Sequence, residues 1–283
     1  MTAERTPPGA PETARPATDS ARPDDHASGA AGASDPGLAA YALRLGDDAL
    51  VLCQRLCALV TRAPTIEEDL ALANIALDLL GHARTLLAYS GELDGTGRSE
   101  DDLAYHRTER QFRSALLMEL PSGDFAVTIA RQLVYAHYSR LLWSALEKTS
   151  DDTLAAFGAR AAREVEYHQM HADQWTVRLG RGTAESRRRM QAGLDLVWPY
   201  AAELFEPDAL VDRLDAEGTA VAPARLREEW EREIAAVLDD ARLTLPRPAW
   251  QATGGRDGLH TEAFAPLLAE LQSVRLQYPG GTW

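Results

Sequence analysis

The chain has 283 residues, 45% of them hydrophobic, with 6 Trp and 8 Tyr, enough to bury a sizeable core in one large domain or two small ones. Its formal net charge is −14, from 29 basic and 43 acidic residues, which argues against general binding to nucleic acid or to anionic membranes. The N-terminus has no apolar signal core and no apolar run reaches membrane-spanning length, so a cytoplasmic protein is expected.

Residues 1–37 are rich in Pro, Ala, Asp, Ser and Gly and hold no apolar aromatic or β-branched aliphatic residue to anchor a core. They are expected to form a disordered tail ahead of a helical domain over residues 38–283. The first predicted helix covers residues 38–60 and carries Cys53 and Cys57, which share a face and read as two buried thiols. Pro64 precedes Thr65, which forms a capping-box pattern with Glu68 and opens a helix to about Ser90. Leu72, Ile75, Leu79, Ala83 and Leu86 make its core stripe. Ser99 and Asp102 repeat the start signal for a helix through about Met118. Pro121, Ser122 and Gly123 make a turn, with Asp124 as the N-cap of a helix ending near Lys148. A long helix follows from Ser150 to Leu179, with Leu154, Phe157, Ala161, Val165, His168, Ala172 and Trp175 on one face. Gly180 to Gly182 stop it, and Thr183 starts another helix that bends or ends at Pro199. A charged amphipathic helix spans about residues 223–242, and a final docking helix about residues 260–278. No alternating strand pattern and no fixed-period repeat is present. Long helices with a few buried polar groups predict an all-α protein, a four-helix bundle with peripheral helices.

Two of these helices carry a histidine in a setting that suggests metal chemistry. A di-iron carboxylate bundle uses Glu-x-x-His on two helices and one Glu on each of two others. Here Leu79 stands three residues before His82, and Val165 three residues before His168. Aliphatic side chains bind no iron. Asp78 lies four residues before His82 on the same face, and could supply a second metal ligand or accept a hydrogen bond from His82 and fix its tautomer. The second of these readings is preferred. Glu164, four residues before His168, and His171, three after it, would with His168 be a fair ligand cluster taken alone, since residues three and four apart share a helical face. Two irons need several bridging carboxylates, however, and the remaining helices offer Ala49 and Ala136. Asp47, Asp48 and His137 are near, but a one-residue offset turns a side chain about 100° around a helix. Asp78, His82, Glu164 and His168 therefore read as a vestigial site. The run of Arg187, Arg188 and Arg189 reads as a solvated helix start, with contact to an acidic partner or a phosphate as the alternative. Trp198, Trp230, Trp250 and Trp283 are candidates either for interface anchors or for core packing.

The chain resembles the C-subunit family of the bacterial multicomponent phenylacetyl-CoA epoxidase, the ring-1,2-epoxidase of phenylacetate breakdown. The resemblance rests on residues 41–50 (YALRLGDDAL), 67–81 (EEDLALANIALDLLG), 100–104 (EDDLA), 121–126 (PSGDFA), 164–168 (EVEYH) and 175–180 (WTVRLG). It continues through the ending from His260 to Trp283, so only the N-terminal tail lies outside it. The resemblance implies a ferritin-like bundle paired with a homologous catalytic A subunit that keeps the Glu and Glu-x-x-His ligands and a di-iron centre. It also implies a small B subunit and a reductase subunit that holds FAD and a 2Fe-2S cluster and passes electrons from NADPH. The reaction puts one oxygen atom of O2 across the aromatic ring of the CoA thioester. In this scheme the chain itself is structural, with no catalytic residue, metal or cofactor of its own. Two other readings compete. One is an independent di-metal oxidase or oxygenase using Asp78, His82, Glu164, Glu166, His168 and His171, and the other is an interaction protein unrelated to aromatic catabolism.

Overall fold

The structure is a computed structural model describing residues 34–279 and 281. Among the described residues it is all helical, with no strand. Four long helices form the bundle: α1 (Pro36–Cys57), α2 (Ile66–Leu93), α5 (Phe125–Leu146) and α6 (Asp152–Arg181), with the short α3 (Glu100–Tyr105) and α4 (Leu116–Glu119) between the pairs. α1 packs along α2 and α5 along α6, and α2 meets α6 at the seam between the two pairs. Side-chain caps fix where three of these rods begin. Asp35 accepts from Gly37 N and Leu38 N, Asp124 from Val127 N, and Asp151 from Leu154 N. α5 is the central rod, buried over almost all of Ile129 to Leu142. α6 approaches it closely at Gly158, where a Cβ would lie 2.7 Å from the Trp143 carbonyl oxygen.

The periphery is built from α7 (Ala184–Val197), α8 (Ala209–Ala216), α9 (Arg227–Ala241), α10 (Phe264–Leu271) and α11 (Ser273–Gln277). Trp230 of α9 is buried and donates from Nε1 to Val134 O at 3.0 Å, while its ring packs on Trp198 and Phe205. Core packing thus accounts for Trp198 and Trp230. Trp250 is more than half exposed and rests edge-on against Tyr200, and Trp283 lies outside the described residues. The three arginines at 187–189 open α7 as a solvated start. Arg188 and Arg189 bind Glu185, and Arg187 donates to Gly180 O.

Several expected boundaries move. Pro36 and Gly37 already belong to α1, and residues 1–33 of the expected tail lie outside the described residues. Thr65 precedes α2 but makes no side-chain cap, and the Glu68 carboxylate that would complete the box is bound by His171 and Trp175 of α6. Cys53 is buried as expected, but Cys57 is exposed in the last turn of α1. α2 is long and apolar enough to cross a membrane by length and composition alone, contrary to the sequence reading, and half of that stretch is packed inside the bundle.

The largest departure is at residues 99–118. Ser99 and Asp102 form the expected capping box, but the helix is only α3, and the chain then runs irregularly to α4. The cause lies in α1, where Asp47 and Asp48 are both buried. Arg107 turns inward to pair with both oxygens of Asp47, and Arg113 N donates to the same carboxylate at 2.7 Å. Ala115 N donates to Asp48 at 2.8 Å. A continuous helix would have spent those backbone N–H groups on its own carbonyls.

The C-terminal segment is captured the same way, which splits the expected 260–278 helix. Arg256 forks onto both oxygens of Asp48 at 2.9 and 2.7 Å. His260 and Thr261 N bind the buried Glu119 at 2.7 and 2.5 Å, so helix resumes only at α10. Gln272 interrupts it again and donates to Arg107 O at 2.8 Å. Buried Glu203 accepts from Leu116 N at 2.6 Å and Gly255 N at 2.7 Å, pinning both irregular segments together. Gly255 is required there, since a Cβ would sit 2.3 Å from Ser114 O.

Burial pushes the Glu203 carboxyl up to about 7, against the opposing pull of the two backbone N–H groups and Arg256. The folded state then holds this proton more tightly than the unfolded chain. The stability it contributes is fully present at acid pH and is lost as pH rises through about 7. Urea unfolding of the wild type against Glu203→Gln from about pH 5 to about pH 8 should show the wild type losing stability relative to the variant. Glu203→Gln should also be less stable at about pH 5, by about 1–3 kcal/mol, because its amide cannot accept from both N–H groups.

Candidate functional site

The candidate residues gather at the seam between α2 and α6, which run antiparallel there. His82 Nε2 lies 2.7 Å from Glu164 Oε2, and His168 Nε2 lies 3.0 Å from Asp78 Oδ2. Each histidine therefore pairs with the carboxylate of the opposite helix. This corrects the expected Asp78–His82 hydrogen bond within α2. Both helices carry a carboxylate four residues before a histidine. In an antiparallel pair that spacing brings each imidazole beside the other helix's carboxylate. A third clasp continues the seam: His171 Nε2 and Trp175 Nε1 each lie 2.7 Å from Glu68 Oε2.

The imidazoles lie inside and the anions outside. His82 and His168 are buried, whereas the Asp78 and Glu164 side chains are 38% and 35% exposed. The inner surroundings of His82 are aromatic, with Phe157 and Trp143 presented edge-on at centroid distances of 5.4 and 6.1 Å. Burial holds the His82 imidazole below its ordinary pKa, and Glu164 pulls in the opposite direction. Over the pair lies an open surface cleft of about 470 Å³, lined in part by Asp78, Gly81, Arg84, Arg160 and Glu164.

The residues at the other expected ligand positions are fully committed to packing. Leu79, Val165, Ala49 and Ala136 are all buried in the hydrophobic core. Glu166 is exposed. Asp47 and Asp48 face the arginines described above. His137 points out of the bundle core, with Asp173 at 2.8 Å from Nε2 and Glu233 at 3.0 Å from Nδ1, and so ties α9 to α5 and α6. Among the described residues, no three His, Cys, Asp or Glu side chains converge on one point where a metal could sit. The donor chemistry does not fit a two-iron centre. Such a centre needs inward carboxylates that bridge and neutralise the cations, and here the inward positions are aliphatic or aromatic.

Sequence reasoning finds Asp78, His82, Glu164, His168 and His171 by their spacing. It misses Glu68, which it assigns to a helix cap, and the indole of Trp175. The available signal is the pairing of His171 and Trp175 four residues apart on one face, facing the acidic first turn of α2.

A family model described as phenylacetic acid catabolic protein matches residues 25–283. That family is ferritin-like, in agreement with the all-helical bundle. Over 246 residues the chain is 47% identical to the C subunit of 1,2-phenylacetyl-CoA epoxidase from Escherichia coli (strain K12), an alignment covering 87% of this chain and 99% of that relative.

The seam makes a measurable prediction. In a histidine NMR titration His82 should titrate below the ordinary histidine value of about 6.5, and Glu164→Gln should lower it further by removing the anion that favours its charged form. A rise on that substitution would show that Glu164 is not its partner.

Proposed function

The chain belongs to the phenylacetic acid catabolic protein family, and we propose that it serves as a structural, non-catalytic subunit of a phenylacetyl-CoA 1,2-epoxidase. One observation carries this reading. The places where a bundle of this kind would hold iron are filled by Leu79, Val165, Ala49 and Ala136, and both seam histidines are already engaged by carboxylates. Filling those positions with apolar side chains avoids the cost of burying uncompensated carboxylates, which is several kcal/mol per ion in order of magnitude. The bundle then keeps its frame without metal and can support a neighbour.

In this proposal a homologous catalytic A subunit holds the di-iron centre, a small B subunit helps assembly, and a reductase subunit with FAD and 2Fe-2S delivers electrons from NADPH. This chain contributes no group to the oxygen chemistry and works in the cytoplasm. The closeness to a relative named as one part of a multi-subunit epoxidase supports a role inside an assembly.

The reading is tested with the purified full-length chain. Elemental analysis is expected to find well under one iron or manganese per chain, and incubation with phenylacetyl-CoA, reductase and NADPH to give no epoxide. Co-expression with a Glu-x-x-His-bearing homologue should give a stable complex whose iron travels with the homologue. Stoichiometric iron on this chain, or epoxidation by it without the homologue, would establish an independent di-metal enzyme instead.

A further inference from the structure

A cavity of about 120 Å³ lies between α1, α5, the 3₁₀ turn Ala202–Phe205 with the stretch that follows it, and the turn at residues 254–257. It shares no residue with the α2–α6 seam. Tyr41, Tyr138 and Glu203 line it and are buried, while Glu206 and Asp257 are exposed on its open side. Tyr41 is 3% exposed, and its hydroxyl has no hydrogen-bond partner among the described residues. The Val221 N–H approaches the phenol oxygen without making a hydrogen bond, and nothing accepts the phenol proton. Burial holds the Tyr41 and Tyr138 phenols above the ordinary tyrosine pKa, so each keeps its proton. A buried donor without an acceptor is costly, and one that lines a cavity calls for an acceptor inside it.

The other polar groups of the lining are rich in donors too. Arg256 meets four acceptors, namely both oxygens of Asp48, Arg44 O and Arg113 O. The Arg44 side chain meets one, Asp208 Oδ2 at 2.9 Å. A guanidinium carries five N–H donors, so both have donors left over. The acceptors are more fully used. Glu203 takes Leu116 N and Gly255 N, and Asp208 takes Leu210 N and Val211 N besides Arg44. Leu45, Leu204 and Val211 add buried apolar walls. Going beyond the proposed role, we propose that this cavity binds a small monocarboxylate, which accepts from Tyr41 Oη and from spare N–H groups of Arg44 and Arg256 and lays its short tail on Leu45, Leu204 and Val211. The size agrees. At about 30 Å³ per water in the liquid, the cavity has room for about four waters, or for a molecule of about four non-hydrogen atoms such as acetate.

Glu203 makes the binding depend on pH. Leu116 N, Gly255 N, Arg256 and Asp48 act on its carboxyl, and Tyr41, Tyr138 and Arg44 line the same cavity. Glu203 titrates at about 7. Below that pH it is neutral and can donate its proton to the ligand's carboxylate. Above it, two like charges share the cavity and the ligand is repelled.

The test is a titration of the purified full-length chain with sodium acetate at fixed ionic strength, read by NMR of ring-labelled tyrosines and by the shift in Tm. Saturable binding is expected at about pH 6, with a Kd of about 1 mM, within what four atoms can supply. At about pH 8 it should be about tenfold weaker. Tyr41→Phe should weaken binding at least about fivefold, and should leave the Tm of the free chain unchanged or higher because no hydrogen bond is lost. Glu203→Gln should bind acetate equally at both pH values. If Glu203→Gln does not fold, Tyr41→Phe decides. The absence of saturable binding at about pH 6 up to about 100 mM acetate overturns the proposal. So does binding that Tyr41→Phe leaves unchanged, or a preference for acetamide or methylammonium over acetate, which would mark a site for a neutral or cationic molecule. None of these readouts depends on metal content or on other subunits, so they are separable from the proposed function.

Discussion

The seam between α2 and α6 is held by crossed pairs of histidine and carboxylate, and the rest of the site follows from that crossing. His82 reaches Glu164, His168 reaches Asp78, and His171 reaches Glu68. With Nε2 of each imidazole hydrogen-bonded to a carboxylate, the interior of the bundle at the levels of His82 and His168 is apolar. Leu79, Val165 and the edges of Phe157 and Trp143 occupy it. A metal-bearing bundle has the opposite arrangement, with carboxylates turned inward on cations. Here the Asp78 and Glu164 carboxylates at the seam face solvent instead.

A second set of buried anions organises the irregular part of the chain. Asp47, Asp48, Glu119 and Glu203 are all buried, and their acceptors are met mostly by backbone N–H groups and by Arg107, Arg256 and His260. A buried carboxylate is tolerated only with such partners, and breaking one partner away costs more than the pair contributes. These four side chains therefore decide that residues 106–115 and 253–261 do not form α-helix and hold only the short 3₁₀ turns Glu109–Gln111 and Gly255–Asp257. They also fasten the C-terminal segment to α1, which is how the last helices come to lie on the bundle.

The fold is legible in the sequence where local chemistry decides it. The caps at Asp124 and Thr183, the stop at Gly180 to Gly182 and the core stripe of α2 all appear as read. The segment 99–118 and the final helix depart from the reading for one reason. Their conformation is set by anions on α1, α4 and a 3₁₀ turn far away in sequence, and no local pattern records that. The candidate site is legible in membership and not in pairing. Asp78 and His82 share a face, so a hydrogen bond between them is a fair inference. What decides otherwise is the antiparallel neighbour with the same spacing, which offers each imidazole a partner across the seam. Glu68 is hidden for a related reason: a capping box explains it locally, and the competing tertiary partners lie more than one hundred residues away.

The most direct measurement is a pair of double-mutant cycles by urea unfolding, one joining Asp78→Ala with His168→Ala and the other joining Asp78→Ala with His82→Ala. Crossed pairing predicts a coupling of about 1 kcal/mol between Asp78 and His168 and close to zero between Asp78 and His82. Coupling confined to Asp78 and His82 would contradict it, and would return the imidazoles to their own helices with their inner faces free for other chemistry.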